Sequence, residues 1–126
     1  MKKAINITGA PKAIGPYSQA IMANGMLFVS GQIPIDPSTG ELVKGDIQLQ
    51  THRVMSNILA ILKDAEMDFS DVVKVSIFLS DMEHFQKVNE AYATYFKENP
   101  PARETIQAAR LPRNVDIEIS VIAVKE

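Results

Sequence analysis

Arg103 and Glu118 are among the side chains of this sequence whose chemistry suits holding and transforming a small carboxylate-bearing molecule. A guanidinium is a planar fork that grips a carboxylate through two charge-assisted hydrogen bonds, which a lysine point charge does not reproduce. A glutamate can take a proton from an attacking water and return one to a departing group without forming a covalent intermediate. Tyr17 and Ser30 add hydroxyls that both donate and accept. The ordinary readings stand beside these: arginine and glutamate on strands are usually solvated, and Tyr17 and Ser30 can simply pack across a hairpin. The sequence holds no cysteine, which removes thiol nucleophiles, thiolate metal sites and disulfides. His52 and His84 share no ligand spacing, so both read as surface or structural residues and no metal site is expected.

The elements that must position these groups follow from hydrophobic period and turn residues. With 126 residues, a single domain over 1–126 is expected. Tyr17 to Ala23 and Met26 to Ile33 flank Asn24-Gly25, the dipeptide of a two-residue type I′ turn, which predicts a hairpin. In that register Gln19 faces Ser30, and Tyr17, Gln19, Ile21, Phe28, Ser30 and Gln32 share one side. Asp46 is placed to cap a helix running to about Ala65, with Ile47, Val54, Ile58, Leu62 and Ala65 along one stripe. Val72 to Leu79 reads as a strand in which Val73, Val75, Ile77 and Leu79 form one face. Ser80 or Asp81 can cap a second helix, where Phe85, Val88, Tyr92 and Phe96 keep helical spacing until Asn99-Pro100-Pro101. Arg103 to Ala109 and Val115 to Val124 complete a β-β-α-β-α-β-β order.

Right-handed crossovers place both helices on one face of a single sheet, an α+β arrangement that leaves the other face bare. Phe28, Phe78, Ile21 and Ile122 on that bare face call for cover by other copies of the chain, so an oligomer is expected. Glu118, alternating with Ile117 and Ile119, points to the same side. A formal net charge of −2 argues against a nucleic-acid partner. No apolar run follows Lys2 and Lys3, and none elsewhere is long enough to span a bilayer, so no membrane association and a cytoplasmic location are expected.

The run Ala13-Ile14-Gly15-Pro16-Tyr17-Ser18-Gln19, followed by Ser30-Gly31-Gln32-Ile33-Pro34, resembles the opening of the RidA (YjgF) family. Val88-Asn89-Glu90-Ala91-Tyr92, Pro101-Ala102-Arg103, Ala109-Arg110-Leu111-Pro112 and Ile117-Glu118-Ile119 continue the likeness in order and spacing across nearly the whole chain. The resemblance implies a chorismate-mutase-like fold, a homotrimer, and sites in clefts between subunits. It implies a 2-iminobutanoate/2-iminopropanoate deaminase, which hydrolyses 2-imino or enamine acids released by pyridoxal-phosphate enzymes to 2-ketoacids and ammonia, with no cofactor of its own. Arg103 then takes the substrate carboxylate and Glu118 the water, while Tyr17, Ser30, Asn89 and Thr105 line the site. Asn89 can equally tie its helix to a loop. Many relatives have Cys where this chain has Thr105; its hydroxyl can still bond a ligand, but thiol chemistry is excluded. The alternative is a regulatory protein that binds ketoacids at Arg103 without turnover. Glu118 separates the two, because an anion beside the pocket does nothing for a carboxylate sensor. A third reading, an RNA-cleaving protein, finds no basic face here.

Overall fold

The computed structural model describes residues 1–125. Six strands form one sheet in the order β1-β2-β3-β6-β4-β5, where β1 is Lys3–Ile5, β2 Ala20–Ala23, β3 Met26–Gln32, β4 Val72–Leu79, β5 Ala102–Gln107 and β6 Ile117–Val124. Helices α1 (Ile47–Asp64) and α2 (Phe85–Ala93) connect β3 to β4 and β4 to β5. β4 and β5 pair in parallel, and every other pairing is antiparallel. The α+β architecture, a single open sheet with its helices on one face, is the one expected.

The first helix forms where cap and stripe agree. Asp46 accepts hydrogen bonds from the backbone N–H groups of Gln48 and Leu49, satisfying two donors that the first turn leaves free. Ile47, Val54, Ile58, Ile61 and Leu62 are buried on one side of α1. Beneath them lie Leu27, Val29, Val75, Ile77, Leu79, Ile117, Ile119, Val121 and Ala123, which form the core face of the sheet. The alternate residues of β6, Glu118, Ser120 and Ile122, pair with Phe78, Ser76 and Lys74 of β4 on the bare face. Phe28 and Ile106 remain 41% and 49% exposed there, so this apolar surface has no cover among the described residues.

Four expectations change. The strand β1 is additional: Ile5 pairs with Ala20 and Lys3 with Met22, in a segment too short to show a period. β2 begins at Ala20 rather than Tyr17, because the Gln19 N–H donates to the Asn6 side chain instead of a strand partner. Two β-bulges then break the alternation read along the strands. One lies between Val29 and Gln32 and pairs Gln32 with Ile119, turning Gln32 to the core. The other lies between Val72 and Lys74, so Val72 is buried and Val73 is 46% exposed. Finally, α2 ends at Ala93; the Thr94 hydroxyl bonds the Ala91 carbonyl, and Phe96 turns back to pack on Tyr92 and edge-on to Phe69.

Gln19 is the polar staple of the N-terminal segment. Its side-chain oxygen accepts from the Ile7 N–H at 2.7 Å, and its amide nitrogen donates to the carbonyls of Ile7 at 3.0 Å and Pro11 at 2.8 Å. The Gln19 amide is therefore committed to backbone groups. Replacing it by Leu strands a part-buried N–H and several carbonyls, at an expected cost of about 1–3 kcal/mol. Urea denaturation of Gln19→Leu should show that loss, and a midpoint equal to wild type would contradict this role.

Candidate active site

Strand β6 lifts Glu118 onto the bare face, opposite Phe78, where its carboxyl is raised above its ordinary value of 4.5 by burial. Its neighbour across the ladder is the bulged end of β3. A Cβ built on Gly31 would collide with the Glu118 carboxylate, so glycine lets β3 pass this close without displacing that side chain. Ser30 is held beside it, its N–H donating to the Gln19 carbonyl at 2.9 Å and its Oγ to the Ser18 carbonyl at 2.7 Å. Tyr17 is on the loop before β2, 54% exposed, with its N–H bonded to the Gly15 carbonyl. Tyr17, Ser30, Gly31 and Glu118 line one cleft of about 640 Å³, whose wall also includes Lys12 and Arg113.

Arg103, Asn89 and Thr105 lie elsewhere. Arg103 pairs with Val75 and Thr105 with Ile77, both core-facing, so these two residues of the edge strand β5 point to the helix side. There Asn89 Oδ1 accepts from Arg103 Nη1 at 2.7 Å. The guanidinium carbon also sits 5.0 Å from the centre of the Tyr92 ring and 5.8 Å from that of Phe85. A cation over two aromatic faces with one amide bond is oriented before any ligand arrives. Burial pushes the Tyr92 hydroxyl up to about 12, against the opposing pull of the arginine, so it stays a neutral phenol at physiological pH. The Thr105 and Tyr92 hydroxyls are buried with no hydrogen-bond partner among the described residues.

The six predicted residues thus form two groups, Tyr17, Ser30 and Glu118 in one and Asn89, Arg103 and Thr105 in the other. Glu118 aligns with Phe78, which aligns with Ile106. Arg103 is therefore two strand spacings across from Glu118, about 10 Å, and three residues along, about another 10 Å, on the opposite face. Sequence reasoning missed Gly31, Lys12 and Arg113 in the cleft, and read Phe85 and Tyr92 only as helix core. The signal for the aromatic pair was present: Phe85, Asn89 and Tyr92 are spaced i, i+4, i+7 on one helical face.

The fold and these two groups define a small α+β protein with a carboxylate-bearing cleft on one side of its sheet and a cradled arginine on the other. Residues 7–125 match the model of the family described as Endoribonuclease L-PSP. A RutC family protein of Pyrococcus horikoshii is 56% identical over 126 residues, covering 100% of both chains. A 2-iminobutanoate/2-iminopropanoate deaminase of Mus musculus is 46% identical over 125 residues, covering 99% of this chain and 93% of that one. The crystal structure of E. coli TdcF with bound serine superposes with a TM-score of 0.93 at 40% identity, covering 98% of this chain and 99% of that one. The chain belongs to the Endoribonuclease L-PSP family, the RidA (YjgF) family that its motifs resemble.

The raised Glu118 carboxyl has a measurable consequence. A carboxyl whose folded value exceeds its unfolded one contributes stability below the unfolded pKa and loses it as pH rises through the folded pKa. Stability of wild type relative to Glu118→Gln should therefore fall as pH rises from about 4.5 through the raised value. Denaturation of both proteins across that window checks this, and a pH-independent difference would contradict it.

Proposed function

We propose that this protein hydrolyses 2-iminoacids to 2-ketoacids and ammonia, at sites where the Arg103 group of one copy meets the Glu118 cleft of another. The observation that carries this reading is the separation itself: a fixed arginine and a half-buried carboxylate sit on opposite faces of one sheet, too far apart to hold one small molecule. Apolar cover for the bare face supplies the reason to associate, through Phe28, Ile106 and their neighbours. A homotrimer, as the family resemblance implies, is the assembly that the reading adopts.

In such a site the Arg103 fork takes the α-carboxylate of the imine and so fixes which face of C2 meets water. Thr105, whose hydroxyl has no partner among the described residues, offers one further hydrogen bond on the same side. Glu118 holds the water. As the water oxygen bonds C2, Glu118 accepts one water proton and passes it to the imine nitrogen, giving a carbinolamine; Glu118 then takes the hydroxyl proton and delivers it to nitrogen as the C–N bond breaks, so that the ketone forms and ammonia leaves. Its raised pKa brings the carboxyl nearer neutrality, where it is a better proton carrier than an ordinary glutamate. Ser30 and Tyr17 supply hydroxyls to the polar part of the substrate. The deaminase name of the mouse relative and the serine bound to TdcF support a small amino-acid-like ligand. RNA cleavage, suggested by the family's description, lacks support from a net charge of −2 and from a cleft with one carboxylate and no histidine among its lining residues.

The test generates 2-iminobutanoate from a dehydratase in the presence of semicarbazide and measures how much imine the protein diverts to ketoacid. Wild type should divert it, and Glu118→Gln should be ~10²–10⁴-fold slower while still binding 2-oxobutanoate by calorimetry. Equal turnover in the two proteins would contradict the role of Glu118. Arg103→Lys should fold normally and lose most activity, because a point charge does not replace the two-pronged grip; unchanged kcat/KM would remove Arg103 from the site.

A further inference from the structure

The Glu118 cleft contains more positive charge than hydrolysis of a monocarboxylate calls for. Lys12 and Arg113 are both in its wall, and among the described residues that line it Glu118 is the single acidic one. Among the described residues the one ion pair joins Lys74 to Glu104, so neither cation of the cleft is in a salt bridge. The α-carboxylate is already assigned to Arg103, which comes from the other face of a sheet. Lys12 and Arg113 are left over.

Their placement is specific. Arg113 and Asn114 take successive φ values of 55° and 56°, a left-handed conformation that an arginine seldom adopts. The turn follows Pro112 and is tied by Arg110 Nε donating to Asn114 Oδ1 at 2.8 Å, which carries the Arg113 side chain to the wall of the cleft. A strained residue at a cleft wall is a reason to look for a ligand-directed role. The cleft, about 640 Å³ in the single chain, lies within the range that holds drug-sized ligands.

We propose that Lys12 and Arg113 form a second carboxylate-binding position in this cleft, so that the substrates include 2-iminoacids with an acidic side chain. The inference rests on the deaminase reading for its reaction and on the cleft alone for its specificity. One carboxylate of such a substrate meets Arg103 and the other meets Lys12 and Arg113, with C2 held between them at Glu118. The chemistry is unchanged: water adds to C2, the C–N bond breaks and ammonia leaves.

The experiment compares two imines in the semicarbazide competition assay, 2-iminobutanoate from a dehydratase and 2-iminoglutarate from glutamate and an amino-acid oxidase. Each is measured with wild type, Arg113→Lys and the Lys12→Gln/Arg113→Gln double variant, whose substitutions are at exposed positions. The ratio of kcat/KM for the dicarboxylic over the monocarboxylic imine should fall by about tenfold or more in the double variant, as expected for losing charge-assisted hydrogen bonds. Arg113→Lys should keep most of the ratio. A ratio equal to wild type in the double variant overturns the proposal. Calorimetry with 2-oxoglutarate and 2-oxobutanoate on the same proteins reads the binding position without turnover. Should neither imine be hydrolysed, the deaminase reading fails, yet a selective loss of 2-oxoglutarate affinity in the double variant still supports the second position. Equal losses for both ketoacids, or none, overturn it.

Discussion

Side chains along a β-strand point alternately to the two faces of the sheet, and this period of two governs where every group of the candidate site can go. On β5 it sends Arg103 and Thr105 toward the helices, because their partners Val75 and Ile77 belong to the core face. On β6 it sends Glu118 the other way, because Ile117 and Ile119 must be buried under α1. No local adjustment brings the two together: a one-residue slip of β6 would bury a carboxylate and expose two isoleucines. The division of the site follows from the same packing that stabilises the fold. Burying those isoleucine side chains is worth about 1.5–3 kcal/mol each, against which a slipped register has nothing to offer.

Each half is then prepared by its own surroundings. Asn89, Tyr92 and Phe85 come from successive turns of α2 and hold the guanidinium by one hydrogen bond and two ring faces. Glu118 is approached by the bulged end of β3, where Gly31 removes the side chain that would collide with it. The bulge has a second effect: it rotates Gln32 into the core while leaving Ser30 and Gly31 beside the carboxylate. The Asn24-Gly25 turn upstream, with φ of 51° and 75°, sets the hairpin register on which this juxtaposition depends.

Much of this was readable from the sequence where two independent signals coincided. Helix α1 had both an Asp46 cap and an apolar stripe, and β6 had an uninterrupted alternation from Ile117 onward. The hairpin was readable because its turn dipeptide has few alternatives. The bulges at Val29/Gln32 and Val72/Lys74 were not, since a bulge is a property of a pair of strands and leaves no mark on one of them alone. β1 escaped because three residues carry no period, and its pairing depends on β2 and on the Gln19 hydrogen bonds. The importance of Arg103 and Glu118 came through the resemblance rather than from their setting, for isolated strand arginines and glutamates are mostly solvated. The spacing of Phe85, Asn89 and Tyr92 marks one helical face, but that this face cradles Arg103 follows only from the tertiary packing of β5 beneath α2.

Completion of the site by two copies of the chain is tested most directly by subunit complementation. Arg103→Gln and Glu118→Gln proteins are each made inactive, then unfolded together and refolded so that mixed oligomers form. A site built between copies can then combine an intact Arg103 from one protomer with an intact Glu118 from another. The account predicts that imine hydrolysis returns in the mixed sample while either variant refolded alone stays inactive. Confirmed mixed oligomers with no recovered activity would contradict it, because that is the behaviour of a site contained within one protomer.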